Sequence, residues 1–270
     1  TAGLAVVVIA GGIGSLLGPQ LVFYTITQGA GWNFNYLLLG AALAIAGVLF
    51  FLSKLIVKAP TPLVSNVDAS GKVKKVPYLQ MLRSRNLILL CIASFLMSGS
   101  IYFYTWLPTY LSNMSKEVYT EGIRSMIMTT YYVGMIVSRL SYAALSKKLS
   151  ADNYMRYANL ITVALLTVAL LSNSVPVWFV IIFLSGLVGG TAYTAKFILA
   201  CTEFPEFSAT ATAMTGVLAA LGSMSFSAIG GAVADAGNFT AAMFIPLGSF
   251  VLVSMIFFFG YKGKKLEKTA

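Results

Sequence analysis

Tyr102 and Trp106 stand four residues apart in the stretch YFYTW. On a helix they share one face, with Ser98 and Thr105 near it. Tyr132 and Tyr193 fall near the middle of two other apolar runs. A phenol held away from water needs a partner, so such residues can hydrogen-bond or stack with a small polar molecule. Trp106 taken alone also fits an anchor at a membrane–water interface. Two cations, Arg139 and Lys196, lie about two turns inside the ends of apolar runs. Ionisable groups at that depth are costly and point to function. A long basic side chain near an end can instead reach out to the interface. Held inside, Arg139 has Glu203 available for a gating ion pair, and Lys196 can attract an anion.

Catalytic chemistry finds little support. Histidine is absent, and Glu203, Glu206 and Asp235 all sit at the ends of runs. Cys91 and Cys201 lie in apolar surroundings, which excludes a disulfide framework and a Cys/His metal site. No GxxxxGK[ST] phosphate loop occurs. We therefore expect no enzyme activity, no metal and no cofactor.

The elements that must hold these residues are membrane helices. Of 270 residues, 58% are hydrophobic and 10% charged, against about 25% charged in soluble domains; mean hydropathy is +0.85. No charge occurs in 1–53, 86–115, 157–195, 207–234 or 236–261, and about 20 apolar residues cross a bilayer core. Turn chemistry divides these runs into eight expected spans, at 2–26, 36–57, 86–111, 123–147, 154–171, 177–202, 209–235 and 239–261. The only long loop, 58–85, is polar and basic. With that loop cytoplasmic, sixteen Lys and Arg fall on the inner side and only Lys116 and Arg124 on the outer. This asymmetry orients the chain with both ends cytoplasmic. The net charge of +10 is then topology, held against anionic headgroups, and not a nucleic-acid signal.

Glycine placement adds a repeat. TAGLAVVVIAGGIGSLLGP (1–19) can be laid over TAMTGVLAALGSMSFSAIG (212–230), each followed by an Asn-Phe turn and another apolar span. Gly14 and Gly18, like Gly186 and Gly190, form GxxxG faces that let helices approach closely. With Pro19 they also suit a hinge. Parallel repeats about an axis along the membrane normal are one way that secondary transporters are built. The last six spans would form one repeat and the first two the tail of another, so four more helices are expected upstream.

Four motifs carry a resemblance. GSLLGP (14–19), WLPTYL (106–111), VGMIVSRL (133–140) and CTEFP followed by ATATAMTG (201–216) resemble, in order, parts of the fifth, seventh and eighth helices and the tenth-to-eleventh junction of the major facilitator superfamily. GSLLGP lacks the Gly-Gly of the antiporter version, and ALSKKLS lacks the Asp often found after the eighth helix. The resemblance implies an all-α integral membrane fold, with two helices of an N-terminal bundle (1–57), an inter-bundle loop (58–85), a six-helix bundle (86–261) and a basic tail (262–270). It implies a secondary active transporter in the inner or plasma membrane, working by alternating access. Its solute cavity would lie along the helices bearing Tyr102, Trp106, Tyr132, Tyr193 and Lys196. Tyrosines and hydroxyls beside cations suit a sugar, a sugar acid or another organic anion. A drug-efflux carrier and a non-transporting receptor are the alternatives. A symported proton or ion would be a further partner; with proton coupling the carboxylate would lie upstream, and without it the carrier would be a uniporter or an anion exchanger using Lys196 and Arg139.

Overall fold

A computed structural model describes residues 14, 17, 18, 20–29, 31–56, 75–145 and 149–263. They are helical or turn throughout, without a strand among the described residues. The described residues fall into two units, one within 17–75 and the other within 76–263. In the smaller unit, residues 20–27 are helical and turn through Gly29, whose φ of 79° suits glycine. The chain enters α1 (Trp32–Ile56). Thr25 Oγ1 and Asn35 Oδ1 lie 2.6 Å apart across that turn. The side of α1 is apolar and open, with Leu37, Leu43 and Phe50 exposed, as a lipid-facing helix requires. Residues 1–13 and Pro19 lie outside the described residues, and so do the repeat drawn over them and the Pro19 hinge.

The larger unit holds nine further α-helices among the described residues: α2 (Tyr78–Arg83), α3 (Arg85–Met97), α4 (Gly99–Met114), α5 (Glu121–Leu145), α6 (Ala151–Leu170), α7 (Val175–Gly189), α8 (Ala192–Glu203), α9 (Ser208–Asp235) and α10 (Phe239–Met255). A π-turn, Ile256–Gly260, ends α10. Among the described residues, five stretches are long and apolar enough to cross a membrane: Asn33–Leu52, Arg85–Met114, Val175–Glu203, Pro205–Asp235 and Phe239–Gly260. Eight spans were expected. The expected fourth and fifth fall on α5 and α6, 25 and 20 residues long. Those two are long enough but more polar, carrying Glu121, Arg124 and Arg139 in one and Asp152 and Arg156 in the other.

Two of the expected spans are broken helices. Ser98 separates α3 from α4, with its Oγ donating to the carbonyls of Ser94 (3.1 Å) and Ala219 on α9 (2.6 Å). Gly99 follows because a Cβ there would come within 2.7 Å of Ser249 Oγ. Gly190 and Thr191 separate α7 from α8, and the Thr191 hydroxyl meets that of Ser138 on α5 at 2.6 Å. At the first break the Ser98 hydroxyl bonds backbone carbonyls, and at the second the Gly190 carbonyl accepts from Arg139 Nε, as a low-dielectric interior demands.

Packing is closest where side chains vanish. A Cβ on Gly134 of α5 would lie 2.3 Å from the Phe183 carbonyl oxygen of α7, and one on Gly186 would lie 2.3 Å from that of Tyr131. The 186/190 GxxxG face is thus a backbone-to-backbone seam with α5. A Cβ on Gly14 or Gly18, by contrast, would meet no described residue within 4 Å. Two apolar clusters flank a polar middle layer: Leu87, Leu90, Met155 and Phe257 at one end, Phe103, Leu107, Trp178 and Phe250 at the other. Ser94, Ser98, Asn159, Thr162 and Ser185 are buried between them.

The end bearing Glu203 is tied by one network. Asn86 Nδ2 donates to Glu203 Oε1 (2.8 Å) and to the Lys262 carbonyl (2.9 Å), and Tyr261 donates to the same Oε1 (3.1 Å). Burial first, and then the Glu203 charge, raises the Tyr261 phenol above its ordinary value. A phenol that ionises later in the folded than in the unfolded protein favours folding only until the unfolded one ionises. Stability should therefore fall as pH rises above about 10, by up to about 1.4 kcal/mol per unit. Tyr261→Phe should lessen that alkaline slope, which thermal unfolding between pH 8 and 11 would measure.

Candidate functional site

A cavity of about 400 Å³ opens between α4, α5 and α8 in the larger unit. Helix spacing decides which residues reach it. Ser100, Ile101, Tyr104 and Thr105 form one stripe of α4, two i, i+4 pairs side by side. Tyr131, Tyr132, Met135 and Arg139 form the matching stripe of α5, and Tyr193 closes the wall from the first turn of α8. A narrower pocket of about 70 Å³ shares Ser100, Tyr104, Tyr131, Met135, Arg139 and Tyr193 with it. That pocket runs on to Asn159, Thr162, Gly189 and Gly190.

The walls are aromatic and ordered by hydrogen bonds. Tyr104 and Tyr131 stack at 3.7 Å, and Tyr132 meets Tyr131 edge-on at 5.3 Å. Tyr104 donates to Ser185 Oγ (2.9 Å), which donates to the Ile182 carbonyl (2.8 Å). That chain fixes the Tyr104 ring, leaving its face to the cavity. Arg139 Nε donates to the Gly190 carbonyl at 3.4 Å. The guanidinium is thereby anchored at the break between α7 and α8. Tyr154 bonds the Val188 carbonyl just before that break. Stacking faces, hydroxyls and one planar cation can together hold a small solute with hydroxyl or acidic groups.

The structure separates the residues singled out from sequence. Tyr132 and Tyr193 line the cavity. Tyr102 and Trp106 share a face as expected, with rings 6.1 Å apart, but that face turns from the cavity. Each residue step rotates a helix by 100°, and the 102/106 stripe points to α9 and α10. The Tyr102 hydroxyl would lie 2.2 Å from a Cβ on Gly230, and Trp106 packs 6.0 Å from Phe239. The Tyr102 hydroxyl is buried without a hydrogen-bond partner. Tyr102→Phe should then leave stability unchanged or raise it by about 1 kcal/mol, as denaturant unfolding would read.

Arg139 and Glu203 are not brought together. The guanidinium reaches Gly190, while Glu203 accepts from Asn86 and Tyr261, and no ion pair joins them among the described residues. Arg139 lines the cavity. Its spacing from Tyr132 and Met135 (i, i+3, i+7) was the signal that could have placed it there. Ser100, Ile101, Tyr104 and Met135 are the lining residues that sequence reasoning passed over. Lys196 does not reach an interface; it is 0% exposed, and its Nζ lies 4.0 Å from the Tyr193 ring centre and 4.8 Å from that of Phe197.

Among known families, the model of the Major Facilitator Superfamily matches residues 114–270. These residues supply α5 and α8, two of the three walls of the cavity. No curated protein sequence matches the chain.

Proposed function

The chain belongs to the major facilitator superfamily and is a multi-pass membrane transporter, and we propose that it is a secondary carrier of a small hydroxylated solute, a sugar, sugar acid or other organic anion, by alternating access. The observation that carries this reading is the 400 Å³ cavity with Tyr132, Tyr193, Thr105 and Arg139 on its walls. Polar hydroxyls set among stacked rings suit a sugar-like body better than a purely apolar one. The two broken helices beside the cavity, at Ser98–Gly99 and Gly190–Thr191, support the motion. Interrupted helices are where a carrier bends with least loss of backbone bonding.

In this reading α5 and α6 also cross the membrane, their polar faces turned into the bundle, and 86–261 makes one six-helix unit. Residues 1–57 supply two helices of the other bundle, and 58–85 link them. The excess of Lys and Arg in 54–85 and 262–268 puts that side in the cytoplasm of a cell membrane. Uptake into proteoliposomes, tested with neutral sugars, sugar acids and an amphipathic cationic dye, checks the proposal. We expect a sugar or sugar acid to move and Tyr132→Ala to abolish most of its uptake. Movement of the dye alone would overturn it in favour of drug efflux.

A further inference from the structure

Lys196 has the least favourable surroundings of any charge described. Its ammonium is fully buried and has no hydrogen-bond partner. What surrounds it is soft: the ring faces of Tyr193 and Phe197 at 4.0 and 4.8 Å, with Cys91 of α3 within electrostatic reach. Ring faces attract a cation but accept none of its three hydrogen bonds. A group that costly persists where something outside the resting arrangement completes it.

Tyr193 links Lys196 to the cavity: its ring lies 4.0 Å from the ammonium, and the same residue lines the cavity. Arg139 stands on the same cavity wall and holds the Gly190 carbonyl, three residues before Tyr193. The twelve-residue α8 starts just past that break, through which the backbone keeps right-handed helical angles. A small rotation of α8, or of the Tyr193 ring alone, would bring Lys196 to the cavity beside Arg139.

We propose that Lys196 is a concealed second cation of this cavity and that the solute is an organic anion, its carboxylate or phosphate oxygens shared between Arg139 and Lys196. This rests on the transporter reading above and narrows its substrate class. Tyr193 acts as a shutter: the resting carrier shields the ammonium with its ring, and the anion takes over as counter-charge when the ring moves. Two cations converging on one hollow concentrate anions there and exclude cations. The ring hydroxyls and Thr105 are left to bond the rest of the solute.

The test needs no knowledge of the solute. The whole chain, with Cys91→Ala, Cys201→Ala and the reporter Thr105→Cys, is placed in discs of neutral phosphatidylcholine. The reporter is labelled with methanethiosulfonates bearing a neutral hydroxyethyl, an anionic sulfonatoethyl or a cationic trimethylammonioethyl group. Rates are divided by those of free cysteine. We expect the anionic reagent to outrun the cationic one on the order of tenfold, Lys196→Met to remove most of that preference and Lys196→Arg to keep it. Methionine matches the lysine stem and removes an unpaired buried charge, so the fold is not put at risk. Equal rates for the two charged reagents, or a preference untouched by Lys196→Met, overturn the inference while the neutral reagent still reports an open cavity. A reporter that not even the neutral reagent reaches overturns the cavity reading and this inference together.

Discussion

Gly186→Leu is expected to leave no folded bundle, and Gly186→Ala to cost about 1–3 kcal/mol. The reason lies in what a side chain would strike. A Cβ on Gly186 would lie 2.3 Å from the Tyr131 carbonyl oxygen and 3.2 Å from the Met135 amide nitrogen. Both are backbone atoms of α5, so no rotamer change relieves the clash. The seam is reciprocal, since a Cβ on Gly134 would lie 2.3 Å from the Phe183 oxygen, and α5 and α7 would have to part along their length. Leucine adds three more carbons to that separation, enough to exceed the roughly 5–15 kcal/mol of a typical domain. Gly248→Leu is the control, because a Cβ there meets nothing within 4 Å. Size-exclusion profiles and thermal unfolding in detergent would decide it: a sharp peak and unchanged melting for Gly186→Leu would refute the seam. The seam also matters for transport, because Tyr131 and Met135 present their backbones to α7 and their side chains to the cavity.

Helix existence was legible because lipid imposes a simple demand, an uncharged apolar run of sufficient length. The runs at 86–115 and 207–234 announce α3, α4 and α9 for that reason. The breaks at Ser98 and Gly190 were not legible, because an apolar run continues through them. At them, hydroxyls meet other helices, Ser98 the Ala219 carbonyl and Thr191 the Ser138 hydroxyl, and such tertiary partners cannot be read from one run. The site divides along the same line. Spacing says that Tyr102 and Trp106 share a face, and they do, but not which neighbour that face meets. Tyr132 and Tyr193 were placed by depth in their runs, and the cavity includes both. Tyr104 was hidden by its neighbours in YFYTW, all aromatic or polar, so only the rotation of α4 could select it. Arg139 and Lys196 each lie about two turns from their run ends, yet one lines a cavity and the other lies buried against aromatic rings. That difference is tertiary.

Arg139→Gln should lower the transport efficiency of an acidic solute by about ten- to a hundredfold, the loss of one charged hydrogen-bonded contact of about 1.5–3 kcal/mol. Among the described residues Arg139 is the one cation on the cavity wall. Its Nε anchors it to the Gly190 carbonyl, and that anchoring fixes the plane of the guanidinium relative to Tyr131 and Tyr193. Arg139→Lys keeps the charge but not the planar fork, so it should recover only part of the loss. A neutral sugar, if carried at all, should lose far less in either variant. Gly190 loses its donor in Arg139→Gln, which predicts a stability decrease of about 1 kcal/mol, too small to unfold the bundle. Michaelis constants and maximal rates in proteoliposomes, set beside melting temperatures, separate the two effects. An efficiency loss equal for acidic and neutral solutes would mean that Arg139 only props the α7–α8 break. A loss confined to acidic solutes, with melting nearly unchanged, places the guanidinium on the solute itself.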